Sequence, residues 1–180
     1  MTSRSTVQPH PSRLTDFAGH PLVVSVMLHQ PPIVAATAAN LARATGAPAL
    51  YFGYADPDRY PVQEYLDGTV RHASIDPDAA DDDWERTERI LRAQLAAAMD
   101  GQAVPWQFRY LAGRVDRALT HLAEAVDAAA IVVGTHVGRH YLVHDFVNGS
   151  MSVQLSHRQH RPVLVVPVEI VGWDDKAPWE

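Results

Sequence analysis

The chain of 180 residues is long enough for one domain that buries roughly two-thirds of the surface of its unfolded form. With 47% hydrophobic and 20% charged residues, it has the composition of a globular protein and not of a disordered or fibrous one. The net charge of -6 argues against a nucleic-acid partner, which needs a broad positive field, and the absence of Cys excludes disulfides, thiolate metal sites and cysteine nucleophiles.

The two ends of the chain differ in character from its middle. Residues 1–20 contain prolines and serines but no continuous apolar stretch, so we expect a flexible N-terminal tail and no secretory signal. Residues 21–168 hold the periodic segments and are predicted to form one domain, and residues 169–180 are predicted to be a C-terminal extension. No apolar run approaches the ~20 residues of a membrane-spanning helix, so we expect a cytoplasmic protein with no membrane partner.

The first part of this domain predicts a strand, a helix and a second strand. Residues 22–27 are β-branched and almost wholly apolar, which is typical of a parallel strand covered on both faces. Ile33–Thr45 is rich in alanine and is followed by Gly46, which predicts a helix with a glycine stop. Residues 47–54 predict the second strand, which leads into a turn at residues 56–58.

The middle of the domain combines a proline-containing segment with an amphipathic helix. Residues 55–80 show no clear period, so we expect a long loop with room for one helical turn at residues 60–66. Three consecutive aspartates at residues 81–83 then begin a helix predicted at residues 84–100, because negative charge at this end favours the helix dipole. One face of this helix has the three- and four-residue spacing of a packed surface, with Trp84, Thr87, Ile90, Leu91, Leu95 and Ala98.

The second half of the domain continues the alternation of strands and helices. Residues 105–111 alternate aromatic and polar side chains, which predicts a strand at a sheet edge. A helix with an apolar stripe at residues 115–126 and a buried strand at residues 129–133 follow. A helix at residues 150–157 and the apolar strand Val163–Val166 complete the pattern.

This order of elements predicts the fold. Five strands that alternate with four helices imply right-handed crossovers and a parallel sheet between two helical layers, because only this arrangement buries strands that are apolar on both faces. We therefore predict an α/β protein with a doubly wound five-stranded parallel sheet and helices on both faces. Such sheets bind ligands at the carboxyl ends of the strands where the winding direction reverses, so the loops after Met27 and Val133 are the predicted ligand region.

The segment after the fourth strand contains the residues that an anion site requires. Gly134, Gly138 and Gly149 allow tight turns and a close approach of the main chain to a ligand. A helix that begins near Ser150 directs N–H groups and partial positive charge at a phosphate, and Ser150 and Ser152 add hydroxyl donors. The same residues are typical of an ordinary turn and helix cap, so the spacing alone leaves both interpretations open.

Three stretches of the second half carry a family resemblance: Ile131-Val132-Val133-Gly134-Thr135, Gly149-Ser150-Met151-Ser152-Val153 and Arg161-Pro162-Val163-Leu164-Val165-Val166-Pro167. Together with the order of the elements, they resemble the universal stress protein family over residues 21–168. The resemblance implies a Rossmann-like fold, similar to that of the adenine nucleotide alpha hydrolases, and a regulatory function in the stress response.

The resemblance also implies a ligand and its contacts. The expected ligand is an adenine nucleotide, ATP with Mg, at the glycine-rich loop after the fourth strand. The residues that would contact it there are Gly134, Thr135, Gly138, Gly149, Ser150, Met151 and Ser152. On the adenine side, the corresponding residues are Tyr54 and Ala55 at the end of the second strand.

The sequence departs from the pattern of the ATP-binding members in two places. Those members have Gly, two residues, Gly, nine residues and then Gly-Ser or Gly-Thr, whereas each gap between Gly134, Gly138 and Gly149 is one residue longer here. They also place an Asp after the first strand, where this chain has Met27-Leu28-His29-Gln30. The alternative function is therefore a dimeric interaction module of the same fold that binds no nucleotide.

Other groups of residues support weaker hypotheses. Three histidines recur at the four-residue spacing of a helical metal site, but the glycines among them favour a loop, and we expect no metal at His136, His140 and His144. A basic patch before the last strand is more typical of a solvated helix end than of an anion site: His157, Arg158, His160 and Arg161.

Neither a catalytic residue nor a catalytic motif is evident in the sequence. No serine lies in the Gly-x-Ser-x-Gly setting of a nucleophile, so we expect no enzyme, with at most slow and incidental hydrolysis of ATP. An α/β enzyme that uses a nucleotide as its substrate remains a third hypothesis. In the resembling family the last strand often pairs across a two-fold axis, which implies a homodimer through Val163–Val166.

Overall fold

The computed structural model describes residues 10–76, 83–135 and 151–169. Seven strands lie in this part of the chain: β1 Leu22–Ser25, β2 Leu50–Asp56, β3 Arg59–Glu64, β4 Val70–Ser74, β5 Trp106–Ala112, β6 Ala130–Gly134 and β7 Val163–Val166. Its helices are a short 3₁₀ helix at Pro11–Arg13 and four α-helices: α1 Ile33–Thr45, α2 Asp83–Ala98, α3 Val115–Ala125 and α4 Met151–Arg158.

Five of the strands form one parallel sheet in the order β5-β2-β1-β6-β7. Leu22 of β1 lies opposite Leu50 of β2 on one side and Ala130 of β6 on the other, so β1 is the central strand. Because β1 is followed in the chain by β2 on one side, and β5 is followed by β6 on the other, the winding direction reverses next to β1. The predicted doubly wound parallel sheet is confirmed.

The alternation of side chains along the strands gives the sheet two buried faces. Leu22 and Val24 pack with α1 and α2 on one face, whereas Val23 packs with α3 and α4 on the other. All three side chains are fully buried, as a parallel sheet covered by helices on both faces requires. Among the described helices, none has the length and apolar character that crossing a bilayer requires.

Most predicted elements are found close to their predicted bounds. Helix α1 and strand β7 have the predicted residues, and Gly46 ends α1 in the left-handed conformation with φ 65°. Strand β5 lies at a sheet edge, as its alternation predicts. The main difference in the other strands is that β2 runs on to Asp56, since it pairs with β5 over its whole length.

The prediction of a long loop with a helical turn after β2 is wrong in the part that the structure describes. Strands β3 and β4 form an antiparallel hairpin there, which is separate from the main sheet. Pro61 lies within β3, and the register shifts between Pro61 and Gln63. This proline and the irregular register interrupt the two-residue period, which hides the strand in the sequence. Gly68, with φ 78°, forms the tip of the hairpin.

The two faces of the sheet lead to a direct test of packing. Leu119 of α3 is fully buried, so we expect Leu119→Ala to lower the free energy of unfolding by about 2–5 kcal/mol through lost burial and a residual cavity. Leu66→Ala is the matched control, because Leu66 is 95% exposed and its truncation should change stability by less than ~0.5 kcal/mol. Urea unfolding measures both, and equal effects would contradict this placement of α3.

Candidate functional site

The reversal of winding beside β1 creates a crevice at the carboxyl end of the sheet. Helix α1, which follows β1, packs on one face of the sheet, and α4, which follows β6, packs on the other. The chain therefore leaves β1 and β6 in opposite directions, which is the arrangement that forms a ligand crevice in open α/β sheets. The described walls of this crevice are residues 26–30 after β1 and Gly134 and Thr135 at the end of β6.

Thr135 joins the end of β6 to the chain after β7. Its N–H donates to the carbonyl of Val166 at 2.8 Å, and its Oγ1 accepts the N–H of Val168 at 2.9 Å. The N–H and the hydroxyl oxygen of Thr135 thus hold β7 beside β6. Thr135 lies in the crevice wall, as predicted, but its hydroxyl oxygen already has a hydrogen-bond partner within the protein.

Gly134 allows a close approach of three side chains to the end of β6. A Cβ at this position would lie 3.0 Å from Nε2 of Gln30 and 3.1 Å from methyl groups of Val34 and Val168. These distances are shorter than ordinary van der Waals contacts, so a side chain fits only if its neighbours move. The space directly beside Gly134 is therefore filled by the protein itself, and Gln30 lies across it from the β1 side of the crevice.

The loop after β1 has few main-chain bonds and is held from α2. The N–H of Val26 donates to the carbonyl of Gly53 at 3.0 Å, which is the last bond from β1 to β2. Beyond it, the side chain of Gln94 donates from Nε2 to the carbonyl of Met27 at 2.9 Å and accepts the N–H of His29 at 2.8 Å. His29 has φ 59°, a left-handed conformation that residues with a Cβ rarely adopt.

A cavity of about 300 Å³ lies behind this loop, between the start of α1 and the end of α2. Two glutamine side chains and otherwise apolar or proline residues line it: Gln30, Gln94, Val26, Pro31, Pro32, Ala35, Leu95, Ala97 and Ala98. No acidic residue is among the described residues of this lining or of the crevice wall. This part of the site therefore supplies amides and main-chain groups, and no carboxylate ligand for a metal ion.

At the end of β2, Tyr54 and Ala55 face opposite sides of the sheet. The Tyr54 ring meets Tyr110 edge to face at 5.3 Å, on the side of α2. Ala55 is buried in the cluster around α3. Successive residues of a parallel strand form hydrogen bonds to the neighbouring strands on opposite sides in turn. The carbonyl of Gly53 faces β1, so the N–H and carbonyl of Ala55, two residues later, also point toward the β1 side. They lie beyond the last residue of β1.

Tyr110 belongs to an aromatic cluster that fixes the β3–β4 hairpin beside this strand end. Its ring lies 5.0 Å from His72 and 5.6 Å from Trp84, and its hydroxyl donates to Oδ2 of Asp56 at 2.5 Å. Burial, followed by this hydrogen bond to a carboxylate, raises the pKa of the Tyr110 hydroxyl well above its usual range. Arg59, which is buried, donates to Nδ1 of His72 at 2.6 Å.

A second cavity lies between the hairpin and α3, away from the crevice. Its volume is about 430 Å³, and apolar side chains such as Leu111 and Leu122 form much of its lining. A hydrogen bond of 2.9 Å between Nδ1 of His121 and Oε2 of Glu64 joins the hairpin to α3 beside the cavity. This cavity has the size of a ligand pocket but no group of anion donors converges on it among the described residues.

The predicted site residues fall into three groups. Four lie at the carboxyl ends of β2 and β6, the two strands that flank β1: Tyr54, Ala55, Gly134 and Thr135. Met151 begins α4, and Ser152 follows in its first turn, where its carbonyl accepts the hydroxyl of Ser156 at 2.7 Å. Gly138, Gly149 and Ser150 lie outside the described residues, as do the three histidines at the four-residue spacing.

The basic patch before β7 is in part the predicted solvated helix end, since His157 and Arg158 are exposed in the last turn of α4, whereas His160 and Arg161 differ from it. Arg161 is 8% exposed, and its Nε donates to the carbonyl of Ala128 at 2.8 Å, so it joins the starts of β6 and β7. Burial, and after it the charges of Arg161 and Arg13, lower the pKa of His160.

Across residues 10–76, 83–135 and 151–169, no three side chains that could ligate a metal come together.

Gln30 and Gln94 are the site residues that the sequence analysis misses. Gln94 carries a signal, since it is a polar residue three positions after Leu91 and one before Leu95, on the apolar face of α2. A polar side chain on such a face needs a hydrogen-bond partner, which it finds here in the β1 loop. Nothing in the sequence around Gln30 indicates that it crosses to Gly134.

The comparison with protein families decides the family of the chain. The model of the universal stress protein family matches residues 29–167. The chain belongs to the universal stress protein family. No curated protein sequence matches it.

Solved structures of this family have the same fold. A universal stress protein in complex with cAMP is 23% identical, with a TM-score of 0.57 over 84% of this chain and 99% of that one. A universal stress protein from Archaeoglobus fulgidus in complex with dAMP is 19% identical, with a TM-score of 0.56 over 82% of this chain and 97% of that one.

A further family member, from Burkholderia pseudomallei, is 19% identical, with a TM-score of 0.55 over 87% of this chain and 99% of that one. At these identities the likeness concerns the fold. Since nearly the whole length of each of these proteins is matched, the fold that this chain shares with them extends over their full domain.

The contact between Gln30 and Gly134 can be tested by a double-mutant cycle. We expect Gly134→Ala to cost about 1–3 kcal/mol of stability, and to cost less in a Gln30→Ala background, because the new methyl group then meets one neighbour fewer. Gly53→Ala is the matched control, since its Cβ would meet Leu119, Leu111 and Leu122 at 3.0–3.1 Å and no part of Gln30. Additive effects of Gln30→Ala and Gly134→Ala in urea unfolding would contradict the contact.

Proposed function

We propose that this protein is a regulatory member of the universal stress protein family that binds an adenine nucleotide in the crevice between β1 and β6. The observation that carries the proposal is the convergence of the β1 loop, the end of β2 and Gly134 at the reversal of winding, in a chain of this family. Complexes of two family members with cAMP and dAMP support an adenine nucleotide as the class of ligand.

The phosphates would lie at the start of α4. In a crossover between parallel strands the helix runs opposite to the strands, so the N-terminus of α4 is at the carboxyl end of the sheet, with the crevice. The first N–H groups of a helix carry partial positive charge and favour an anion. Gly149 and Ser150 precede this helix in the sequence, and Ser152 lies in its first turn.

The base would lie on the β2 side of the crevice. The N–H and carbonyl of Ala55 point toward the space where β1 has ended, so they can pair with the edge of an adenine. The Tyr54 ring is held on the α2 side by Tyr110, and it borders this position without crossing to the face of Ala55. We therefore favour stacking beside the base over obstruction by Tyr54.

ATP is the nucleotide that we propose, and Mg²⁺ would be held by its phosphates. The described residues of the crevice contribute no carboxylate to the ion, so its removal should weaken binding little. We also propose that the protein is no enzyme, because positioning amides and hydroxyls bind a nucleotide but supply no base to activate a nucleophile.

A homodimer through β7 is the second part of the proposal. Strand β7 is at the edge of the main sheet, and Leu164 and Val165 are 38% and 41% exposed. An apolar edge strand with exposed side chains on a β-sheet favours pairing with another strand. A second copy of the same strand across a two-fold axis would cover both the main-chain edge and these side chains.

One observation favours the alternative function, a dimeric interaction module without a nucleotide. Gln30 lies across Gly134 and fills the space beside it, in a chain that has no acidic residue at positions 26–30. In that case the dimer and the β3–β4 hairpin would bind protein partners. The hairpin exposes Tyr60, Val62 and Leu66, which such contacts could bury.

Calorimetric titration with ATP, AMP and cAMP, with and without Mg²⁺, tests the nucleotide. We expect saturable binding by the wild-type protein, and about fivefold to tenfold weaker binding by Ser150→Ala and Ser152→Ala, because each loses a hydroxyl near the phosphates. Ser156→Ala is the matched control on the same helix and should bind like the wild type. The absence of heat at millimolar nucleotide would favour the interaction module, and nucleotide turnover at an enzymatic rate would favour the third hypothesis.

Light scattering after size exclusion tests the dimer. We expect the wild-type protein to have the mass of a dimer, and Val165→Asp to be a monomer, because a charge on the exposed face of β7 cannot be buried in the interface. Val62→Asp places the same charge on the hairpin, where Val62 is 46% exposed, and should leave the dimer intact. A wild-type monomer at micromolar concentration would contradict the proposal.

A further inference from the structure

The side chain of Gln94 makes two hydrogen bonds to one loop. Its amide group spans the carbonyl of Met27, at 2.9 Å from Nε2, and the N–H of His29, at 2.8 Å from Oε1. Donor and acceptor of a single amide thus satisfy the main chain on either side of Leu28. The last hydrogen bond from β1 to β2 is made by the N–H of Val26. From Met27 onward, the side-chain amide of Gln94 supplies the hydrogen bonds that a neighbouring strand supplies to β1.

Within the loop itself, one main-chain bond spans this turn, from the N–H of Gln30 to the carbonyl of Met27 at 3.3 Å. A cavity of about 300 Å³, lined by Gln30 and Gln94 among others, lies next to the end of the loop. His29, between the bonded N–H and Gln30, adopts the left-handed conformation with φ 59°, which residues with a Cβ rarely populate without a constraint. The two bonds from Gln94, at 2.8 and 2.9 Å, add to the longer main-chain bond of the turn and tie this conformation to α2.

The position of this loop determines where the Gln30 side chain lies relative to Gly134. Gln30 follows His29 directly, and its Nε2 lies close enough to Gly134 that a Cβ there would approach it to 3.0 Å. A change in the backbone at His29 therefore moves the Gln30 amide relative to the end of β6. Gln94 lies on α2, outside the two strands that form the crevice, yet it controls the geometry of one crevice wall.

We propose that Gln94 is a positioning residue of the nucleotide site, which holds the β1 loop in its left-handed turn and thereby sets the place of Gln30 in the crevice. This inference rests on the proposed function of the crevice. Gln94 acts through the loop and needs no contact with the nucleotide.

Two substitutions of Gln94 test the proposal. Gln94→Met keeps the length of the side chain and removes both hydrogen bonds, and Gln94→Asn keeps the amide but is one methylene too short to reach. In both variants we expect the His29 amide proton to exchange with water about fivefold faster or more in NMR experiments, and AMP to bind about fivefold more weakly in calorimetry. Thermal unfolding of the variants verifies that the fold is retained.

Gln102→Met is the matched control. Gln102 accepts a hydrogen bond from Arg43 at 2.5 Å and so also loses a side-chain bond on substitution, but it follows the C-terminus of α2, and the two bonds to the β1 loop come from Gln94. We expect wild-type exchange of the His29 amide and wild-type affinity for AMP in this variant.

Each outcome decides a separate claim. Unchanged exchange of the His29 amide in Gln94→Met would overturn the role of Gln94 in fixing the loop. Faster exchange with unchanged affinity for AMP would overturn its role in the nucleotide site. A wild-type protein that binds no nucleotide would overturn the proposed function itself, and the exchange of the His29 amide would then decide alone whether Gln94 fixes the loop.

Discussion

Burial of the central strands on both faces is the constraint from which the rest of the structure follows. Leu22, Val23 and Val24 of β1 are fully buried, as are Ile131 and Val132 of β6. Such strands need a helical layer on each side, and a chain of right-handed crossovers supplies two layers only if its winding reverses. The reversal falls between β1 and β6, so the same burial that stabilises the sheet also places the crevice where their two loops diverge.

The sequence predicts those parts of the fold that depend on composition and period. The apolar runs of β1 and β6, the alanine-rich α1 and its glycine stop are local signals, and the structure has each of them. The β3–β4 hairpin has no such local signal, because Pro61 and the register shift break the two-residue period of its strands. The position of the hairpin depends on residues that are distant in the sequence. His72 and Trp84 meet Tyr110, and Arg59 meets His72, only in three dimensions.

The candidate site shows the same division. Gly134 and Thr135 are found at the end of β6, at the predicted edge of the sheet, because strand order alone determines that place. Their surroundings are not predictable in this way, since Gln30 lies 104 residues before Gly134 in the sequence, and Gln94, which bonds the loop before Gln30, lies 65 residues after His29. Both are neutral amides beside a crevice wall, residues 26–30 with Gly134 and Thr135, that has no acidic residue, and together they give it hydrogen-bonding groups that neither repel phosphate nor require a metal ion.

Amide NMR spectroscopy during titration with AMP tests most directly whether the reversal of winding forms the ligand site. We expect the largest shifts at residues 26–30, at Ala55 and at Gly134 and Thr135, on the three strand ends that converge there. Shifts confined to the hairpin and α3 around the second cavity, with unchanged resonances at the ends of β1 and β6, would contradict it.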